Sequence, residues 1–186
     1  MNNNKEILNK FNETKEHNLI PIIGKKNQII GFESKEKIHK KGLFHRAVSV
    51  FIFNKKNDLM IQKRSHKKYH SSLLWTNTCC SHPKKYESLI NAAHRCLLQE
   101  MGFDCFLEQK FFFIYHELLK NGLIEYELDH VFIGNYNKYP IINKEEVDNW
   151  KWISLKKLIK SIRIFPHLYT IWFKIIINNY IDKLMN

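Results

Sequence analysis

The first residues that could do chemistry lie in the stretch TNTCCSHP at 76–83, where Cys79 and Cys80 are adjacent and His82 follows. The pair could fill the core, bind zinc, form a disulfide, or supply one thiol for acid–base or nucleophilic chemistry beside a metal. A disulfide between neighbours is strained and is rare in a reducing compartment. Neighbours in an extended segment point to opposite faces, which also disfavours joint chelation of zinc.

A second candidate group is a row of carboxylates in the predicted strand 123–136. Glu125, Glu127 and Asp129 are two residues apart and therefore share one face of the strand. Two of these carboxylates, about 7 Å apart along the strand, can both reach one cation. They can also divide the work, with one as a ligand and one as a proton carrier. A solvated outer face would show the same alternation, so both interpretations stay open.

Three histidines accompany these groups: His39 and His45 in HKKGLFH, and His82 after the cysteines. A lone histidine is more often structural than a ligand. Three of them together with Glu125 and Glu127 would make a five-ligand nitrogen and oxygen site suited to Mn²⁺, Mg²⁺ or Zn²⁺.

Glu100 is a carboxylate on or beside the apolar stripe of a predicted helix at 87–102, in line with Cys96 by i, i+4 spacing. A carboxylate in such a position is rarely left unpaired. It could form a salt bridge to Arg95 or another basic group, or it could bind a metal ion.

Strands and helices must bring these residues together. Patterns predict strands at 27–34, 46–54, 59–65, 110–118, 123–136 and 149–154, with a Lys-Asn-Gly turn at 120–122. We expect the helix at 87–102 to end at Gly102, a helix at 155–162 to follow Ser154, and a last helix to run from Pro166 to 184. Hairpins mixed with helices predict an α/β or α+β fold in which helices flank a mixed sheet.

Bulk composition fits one folded domain, since the chain has 186 residues and is 44% hydrophobic. We expect a single compact domain at 25–186 after an N-terminal extension at 1–24. No apolar run is long enough to span a bilayer, and no signal peptide pattern opens the chain, so we expect a cytoplasmic protein. The net charge is +12, but the basic residues are spread throughout. A basic chain could bind nucleic acid, an anionic surface or an anionic small molecule, and the even spread disfavours nucleic acid. We expect no nucleic acid and no membrane as partner, and a monomer.

The region from Ser81 to Gly102 resembles a reduced Nudix box, a loop and helix whose glutamates hold Mg²⁺ on a diphosphate. The leading glycine is replaced by Ser81, and the acidic core is reduced to Glu100. A hydrolase of that family needs several carboxylates to bind metals and activate water. The resemblance therefore implies the same fold and a diphosphate ligand, but a different reaction.

Four segments, GLFHRAVSVFIFN, QKRS, WTNTCCSHP and EYELDHV, resemble in order and spacing the type I isopentenyl-diphosphate isomerases. The match extends from about residue 25 to 180. That family has a Nudix-like α/β fold and interconverts isopentenyl and dimethylallyl diphosphate in isoprenoid biosynthesis. The resemblance implies an isomerase that moves a carbon–carbon double bond.

The resemblance also assigns roles to residues. The catalytic cysteine is Cys80, with Cys79 as a packing neighbour, and the catalytic glutamate is Glu127, which also binds metal. The other ligands of the Mn²⁺, Mg²⁺ or Zn²⁺ site are His39, His45, His82 and Glu125, while Glu100 holds a Mg²⁺ that bridges to the diphosphate. The diphosphate is held by Lys35, Arg64 and Lys68. Tyr115 lies near the reacting atoms, and Trp172 lies over the hydrocarbon tail. Cys96 and Ile171 depart from an arginine and a proline found in relatives.

Three functions compete on this pattern. An isomerase needs Cys80, Glu127 and the complete metal set, whereas a Nudix hydrolase would keep the full acidic box that RCLLQE lacks. A non-enzymatic nucleic-acid-binding protein would need neither. The remaining histidines are interpreted as surface or structural residues: His66, His70, His94, His116, His130 and His167.

Overall fold

Nine strands form one mixed sheet in the computed structural model, which describes residues 18–185. The strands are β1 (Ile20–Ile23), β2 (Ile29–Glu33), β3 (His45–Phe53), β4 (Asp58–Arg64), β5 (Trp75–Thr76), β6 (Cys79–Ser81), β7 (Leu107–Leu118), β8 (Ile124–Asn135) and β9 (Val147–Ser154). The helices are α1 (Lys35–Lys41), α2 (Leu89–Met101), α3 (Leu155–Ile164), α4 (Ile171–Asn179) and α5 (Ile181–Met185), with a 3₁₀ turn at Pro166–Leu168.

The strand β3 lies at the centre of the sheet. It runs parallel to β8 and antiparallel to β1, β4 and β6. The strand β7 extends the sheet beyond β8, and β9 pairs with β4. The expected mixed sheet with flanking helices is therefore confirmed.

Two apolar clusters cover the two faces of the sheet. On one face α2 packs Ala93, Leu97 and Met101 against alternate residues of β3 such as Val50. On the other face α3, α4 and α5 pack against the intervening residues, with Phe173 buried on Phe51. Each fully buried side chain of this size stabilises the fold by about 1.5–3 kcal/mol. Because the two clusters cover opposite faces, the face to which a strand residue points decides which cluster or pocket its side chain reaches.

The helix ends follow local signals. The side chain of Ser88 caps α2, and Gly102 closes it with a φ of 72°, a left-handed conformation that glycine adopts without cost. The helix α1 begins at Ser34 and ends at Gly42 with a φ of 60° by the same chemistry, although its seven residues were not predicted.

The single helix predicted from Pro166 to 184 is wrong. The chain forms a 3₁₀ turn, becomes extended at Tyr169, and only then enters α4 and α5. The reason is tertiary: the amide of Thr170 donates to the carbonyl oxygen of Trp75 at 3.0 Å, and Tyr169 makes a parallel bridge to Trp75. Pairing with the sheet interrupts the helix.

The first described strand lies inside the segment 1–24 that the sequence assigned to an extension. Ile20–Ile23 pairs with β2 and β3. Residues 1–17 lie outside the described residues, and the division at residue 24 stays a prediction.

Candidate active site

Strand register brings the chemically interesting side chains together on one face of the sheet. In the parallel pairing of β3 and β8, His45 lies opposite Glu127, and in the antiparallel pairing of β7 and β8 the same glutamate lies opposite Tyr115. In β6, Cys80 lies opposite Ser49 of β3. Ser49, Cys80, Tyr115 and Glu127 line a pocket that also contains the following sequence-predicted residues: Lys35, Arg64, Lys68, His82, Glu125 and Trp172.

The predicted metal ligands form a buried cluster. His82 Nε2 and His45 Nε2 lie 2.8 Å and 3.3 Å from the same oxygen, Glu127 Oε1. His39 Nε2 lies 3.2 Å from Glu125 Oε2. The donor atoms of His39, His45, His82 and Glu127 all lie within 4.8 Å of one another. The residues that the sequence predicted as metal ligands therefore lie close together, and their role as ligands stays a prediction.

The hydrogen bonds of this cluster show that it needs positive charge. His39 Nδ1 lies 2.6 Å from the carbonyl oxygen of Lys35, and His45 Nδ1 lies 2.7 Å from that of Leu43. A carbonyl oxygen only accepts, so each Nδ1 carries the hydrogen. In the neutral rings each Nε2 then turns a lone pair toward a carboxylate oxygen, and both Nε2 atoms and Glu125 Oε2 are buried without a hydrogen-bond partner. A proton or a metal ion between these atoms removes the repulsion.

His70 joins the cluster, contrary to its interpretation as a surface or structural residue. It is 6% exposed, and its Nε2 lies 3.7 Å from Glu125 Oε1. Its donor atom groups with those of His39 and Glu125 within 4.8 Å. Burial and the nearby charge of Arg64 and Lys35 lower its pKa to about 3 despite Glu125. Only the fold brings His70 here, because it follows β4 in an irregular loop that has no periodicity to interpret.

All three carboxylates of β8 are buried, which excludes the solvated-face interpretation. Glu125, Glu127 and Asp129 are 2%, 6% and 1% exposed. Burial opposes ionisation of Glu127, but hydrogen bonds and charge from His45 and a hydrogen bond from Tyr115 lower its pKa to about 2. The phenol of Tyr115 donates to Glu127 Oε2 at 2.6 Å. This glutamate is therefore held as a carboxylate.

Cys79 and Cys80 face opposite sides of the sheet, as alternation along a strand predicts. Cys79 is fully buried in the cluster beneath α2, whereas Cys80 packs at the edge of the cluster on the other face and lines the pocket. The Cys80 sulfur lies 3.9 Å from Arg64 Nη1. Burial raises the pKa of this thiol well above its usual range despite that arginine, so the thiol carries its proton at neutral pH.

Glu100 lies beside the pocket and is 6% exposed. Its Oε1 accepts from Lys68 Nζ at 2.9 Å, and its Oε2 accepts from Gln62 Nε2 at 2.6 Å. The salt bridge is thus with Lys68. Arg95 instead pairs with Glu87, with nitrogen–oxygen distances of 2.7 Å and 2.8 Å.

The basic residues gather at one end of the pocket. Although Lys35 is exposed as a whole residue, its side chain lines the pocket, and its pKa is lowered by burial and by the charges of Lys68 and Arg64. The guanidinium of Arg64 lies 5.3 Å from the centre of the Trp172 ring. A register shift in the β4–β9 pairing between Lys63 and Arg64 is of the kind that re-aims a side chain into a site.

Comparison with known proteins decides the family. A model of the NUDIX domain matches residues 43–173. The chain is 52% identical over 160 residues to Isopentenyl-diphosphate Delta-isomerase 2 of Photorhabdus laumondii, an alignment that covers 86% of this chain and 90% of the relative. The chain belongs to the isopentenyl-diphosphate Delta-isomerase family. It is also 44% identical over 151 residues to Isopentenyl-diphosphate Delta-isomerase 2 of Aromatoleum aromaticum, covering 81% and 80% of the two chains.

Membership of this isomerase family makes the protein an enzyme built on a NUDIX domain. The fold agrees with solved structures: DR0079 of Deinococcus radiodurans superposes with a TM-score of 0.66 over 78% of this chain and 89% of its own, at 14% identity. That likeness concerns the fold alone. The expected recognition and fold class are confirmed.

The NUDIX helix of this isomerase departs from an acidic box. Within α2, Leu89–Met101, Glu100 is the only carboxylate. Arg95 retains a structural role, since its Nη2 also donates to the carbonyl oxygen of His82 at 3.0 Å. Among residues 18–185, no helix is long and apolar enough to cross a membrane.

Proposed function

We propose that this member of the family interconverts isopentenyl diphosphate and dimethylallyl diphosphate by a metal-dependent 1,3-shift of a proton. The observation that carries the proposal is one pocket that holds the thiol of Cys80 and the carboxylate of Glu127 beside three basic side chains, Lys35, Arg64 and Lys68. The relatives named above give the substrate class.

The reaction is demanding because an alkene is a very weak base. A proton must be added to the terminal CH₂ of isopentenyl diphosphate, and another must leave the CH₂ next to the oxygen-bearing carbon. The positive charge between the two steps sits on the tertiary carbon, where water would trap it. The site must therefore be dry and must present one proton donor and one acceptor.

Cys80 and Glu127 supply such a pair. In the resting state the thiol is protonated and the carboxylate is ionised, so the pair holds one proton. One group gives its proton to the alkene and the other takes a proton from the neighbouring CH₂, so one forward turnover leaves the proton of the pair on the acceptor. Proton exchange with solvent would return the pair to its resting state before the next forward turnover. The roles exchange in the reverse direction. Tyr115 stabilises the carboxylate through its 2.6 Å hydrogen bond.

The hydrocarbon end of the pocket is set by Trp172, which is 3% exposed. The indole nitrogen donates to Asn77 Oδ1 at 3.3 Å, which fixes the ring. An aromatic face stabilises a nearby cation by about 1–2 kcal/mol when water is excluded. Arg64 lies over one face of this ring, 5.3 Å from its centre, so the ring would stabilise the developing carbocation with its other face or its edge.

The histidine and carboxylate cluster fits a divalent ion. The residues that would hold the ion are His39, His45, His82 and Glu127, whose donor atoms group together, while the fifth predicted ligand, Glu125, groups with His39 and His70. The unpartnered Nε2 atoms of His39 and His45 and Oε2 of Glu125 are the donors that a cation would satisfy. Imidazole and carboxylate together suit Mn²⁺, Mg²⁺ or Zn²⁺. When bound, such an ion supplies positive charge that orients Glu127 and changes its proton affinity.

The diphosphate would bind at the basic end of the pocket. Lys35, Arg64 and Lys68 provide cationic donors, and Glu100 lies beside Lys68 as the residue that would hold a Mg²⁺ shared with the diphosphate. Anchoring the charged group positions the small reacting tail, which has few contacts of its own.

The test is an assay of purified protein loaded with Mn²⁺ and Mg²⁺, in deuterated water, with isopentenyl diphosphate. We expect dimethylallyl diphosphate that contains solvent deuterium, and loss of both product and exchange after chelation of the metal. Release of inorganic phosphate or pyrophosphate without isomer would refute the isomerase in favour of a hydrolase.

A further inference from the structure

Gln62 has a buried polar side chain to which the proposed reaction assigns no role. It lies on β4 and is fully buried, and its Nε2 donates to Glu100 Oε2 at 2.6 Å. Nothing in the sequence pattern selects this residue, because a glutamine in a strand is an ordinary polar residue. Few polar groups are buried without a purpose in folding or in a site.

The orientation of this amide is fixed by its partner. A carboxylate only accepts hydrogen bonds, so the NH₂ group of Gln62 must face Glu100 and the Oε1 atom must face away. Oε1 is buried and has no hydrogen-bond partner within the described part of the chain. The amide is therefore held by the bond from its NH₂ group to Glu100.

The two oxygens of Glu100 are engaged differently. Oε2 is held by Gln62, which is part of the rigid sheet, whereas Oε1 is held by the flexible side chain of Lys68. Lys68 also forms an ion pair with Glu146, which is more exposed. Lys68 can therefore leave Glu100 while it stays anchored to Glu146, and its departure frees Oε1 but not Oε2.

We propose that Gln62 is a positioning residue for the divalent cation that accompanies the substrate diphosphate: it holds Oε2 of Glu100, so that Oε1 is the oxygen left to bind the cation. This inference rests on the proposed function. Mg²⁺ keeps several waters when few carboxylates bind it, and Glu100 is the only carboxylate of α2. The orientation of that single carboxylate would therefore decide how well the cation is held.

The experiment compares Gln62→Met, which keeps the length of the side chain and removes both polar ends, with wild type. The probe is inorganic pyrophosphate, whose binding is measured by calorimetry with and without Mg²⁺. The matched control is Gln109→Met, since Gln109 is exposed on β7. Loss of a residue that orients a metal ligand weakens binding about 10- to 100-fold. We expect that loss for Gln62→Met only when Mg²⁺ is present, and no loss for Gln109→Met.

Two further measurements separate positioning from a purely structural effect. Binding of Mn²⁺ to the histidine cluster in the absence of pyrophosphate should be unchanged in Gln62→Met, and saturating Mg²⁺ should restore kcat. Equal Mg²⁺-dependent binding of pyrophosphate by Gln62→Met and wild type overturns the inference. So does a loss that is the same with and without Mg²⁺, or one that extends to the histidine cluster.

Wild-type protein provides a check that does not depend on the folding of a variant. The chain has four glutamines, so selective ¹⁵N labelling gives four side-chain amide signals, which replacement of the other three assigns to Gln62. We expect the Gln62 NH₂ to be protected from exchange and to shift when Mg²⁺ and pyrophosphate are added together. A signal that does not move overturns the inference. This binding readout needs no turnover, so absence of isomerisation would count against the proposed function alone.

Discussion

Replacing each of the two adjacent cysteines by alanine should separate packing from chemistry. Cys79 is fully buried beneath α2 against Cys96, whereas Cys80 lines the pocket 3.9 Å from Arg64. The two residues are neighbours in sequence and equal in chemistry. Any difference between the variants therefore reports the face of the sheet to which each thiol points.

The expected magnitudes follow from these surroundings. Cys79→Ala removes one buried heavy atom from a close-packed cluster, which costs about 0.5–1.5 kcal/mol by analogy with removal of one buried methylene. For a chain of this length about 1 kcal/mol lowers Tm by about 2–4 °C. Cys80→Ala removes a proton-transfer group, and such groups contribute about 100- to 10,000-fold in rate.

The assay measures formation of dimethylallyl diphosphate at saturating metal, together with Tm for each variant. We expect Cys79→Ala to melt lower and keep most of its turnover, and Cys80→Ala to lose turnover at nearly wild-type Tm. Cys105→Ala serves as the control, because it changes a half-buried free thiol that packs at the edge of the Cys79 cluster and does not line the pocket. Equal losses of turnover in the two variants would refute the division of labour, and a loss in Cys79→Ala alone would reverse it.

Three other predictions follow from the pKa shifts. Burial opposes protonation of His39, but the hydrogen bond and charge of Glu125 raise its pKa above 6.5. Because Mn²⁺ must displace that proton, the affinity of the protein for Mn²⁺ should fall toward pH 6, by up to about tenfold per pH unit. Mn²⁺ titrations that give the same affinity at each pH would contradict this. The pKa of Glu87 is lowered because Arg95 outweighs partial burial, so Glu87→Gln should cost about 1.5–3 kcal/mol in urea unfolding at pH 7. That cost is fully present above pH 4.5 and should vanish as pH falls through the lowered pKa; a pH-independent cost would argue against the ion pair. Tyr115→Phe should raise the pKa of Glu127 by about one to two units and move the acidic limb of the pH–rate profile upward, and an unmoved limb would exclude this hydrogen bond as the cause.

The spacing of residues along the chain was enough to predict which side chains share a face, where those residues belong to a strand or a helix. The spacing of Glu125 and Glu127 places both carboxylates on one face of β8, and alternation separates Cys79 from Cys80, since each residue in a strand must point away from the next. Alternation does not show which face of the strand is buried and which is exposed to solvent. The carboxylate row looked equally consistent with solvent until β3 and β7 supplied His45 and Tyr115 opposite it.

The residues that sequence reasoning missed owe their place to tertiary structure. His70 lies in an irregular loop, and its approach to Glu125 depends on the path from β4 to β5 rather than on spacing. Gln62 is an ordinary residue of β4 until α2 places Glu100 2.6 Å from its amide. The prediction of one continuous C-terminal helix was wrong for the same reason. The helical pattern continues through Tyr169 and Thr170, but the backbone of both residues pairs with Trp75 of the sheet.

Charge balance explains how a buried site tolerates three carboxylates on one strand. Asp129 accepts a hydrogen bond from Ser49 at 2.8 Å, yet burial and the nearby charge of Glu127 raise its pKa well above the usual range. Asp129 therefore favours its neutral form, and the carboxylates of β8 that lie against the histidines are Glu125 and Glu127. One divalent ion would balance the charge of two carboxylates, whereas an isolated buried charge would cost several kcal/mol. The histidines, held with Nε2 toward the carboxylates, can then stay neutral and act as ligands. The fold would thus set the charge of a bound ion as well as its position.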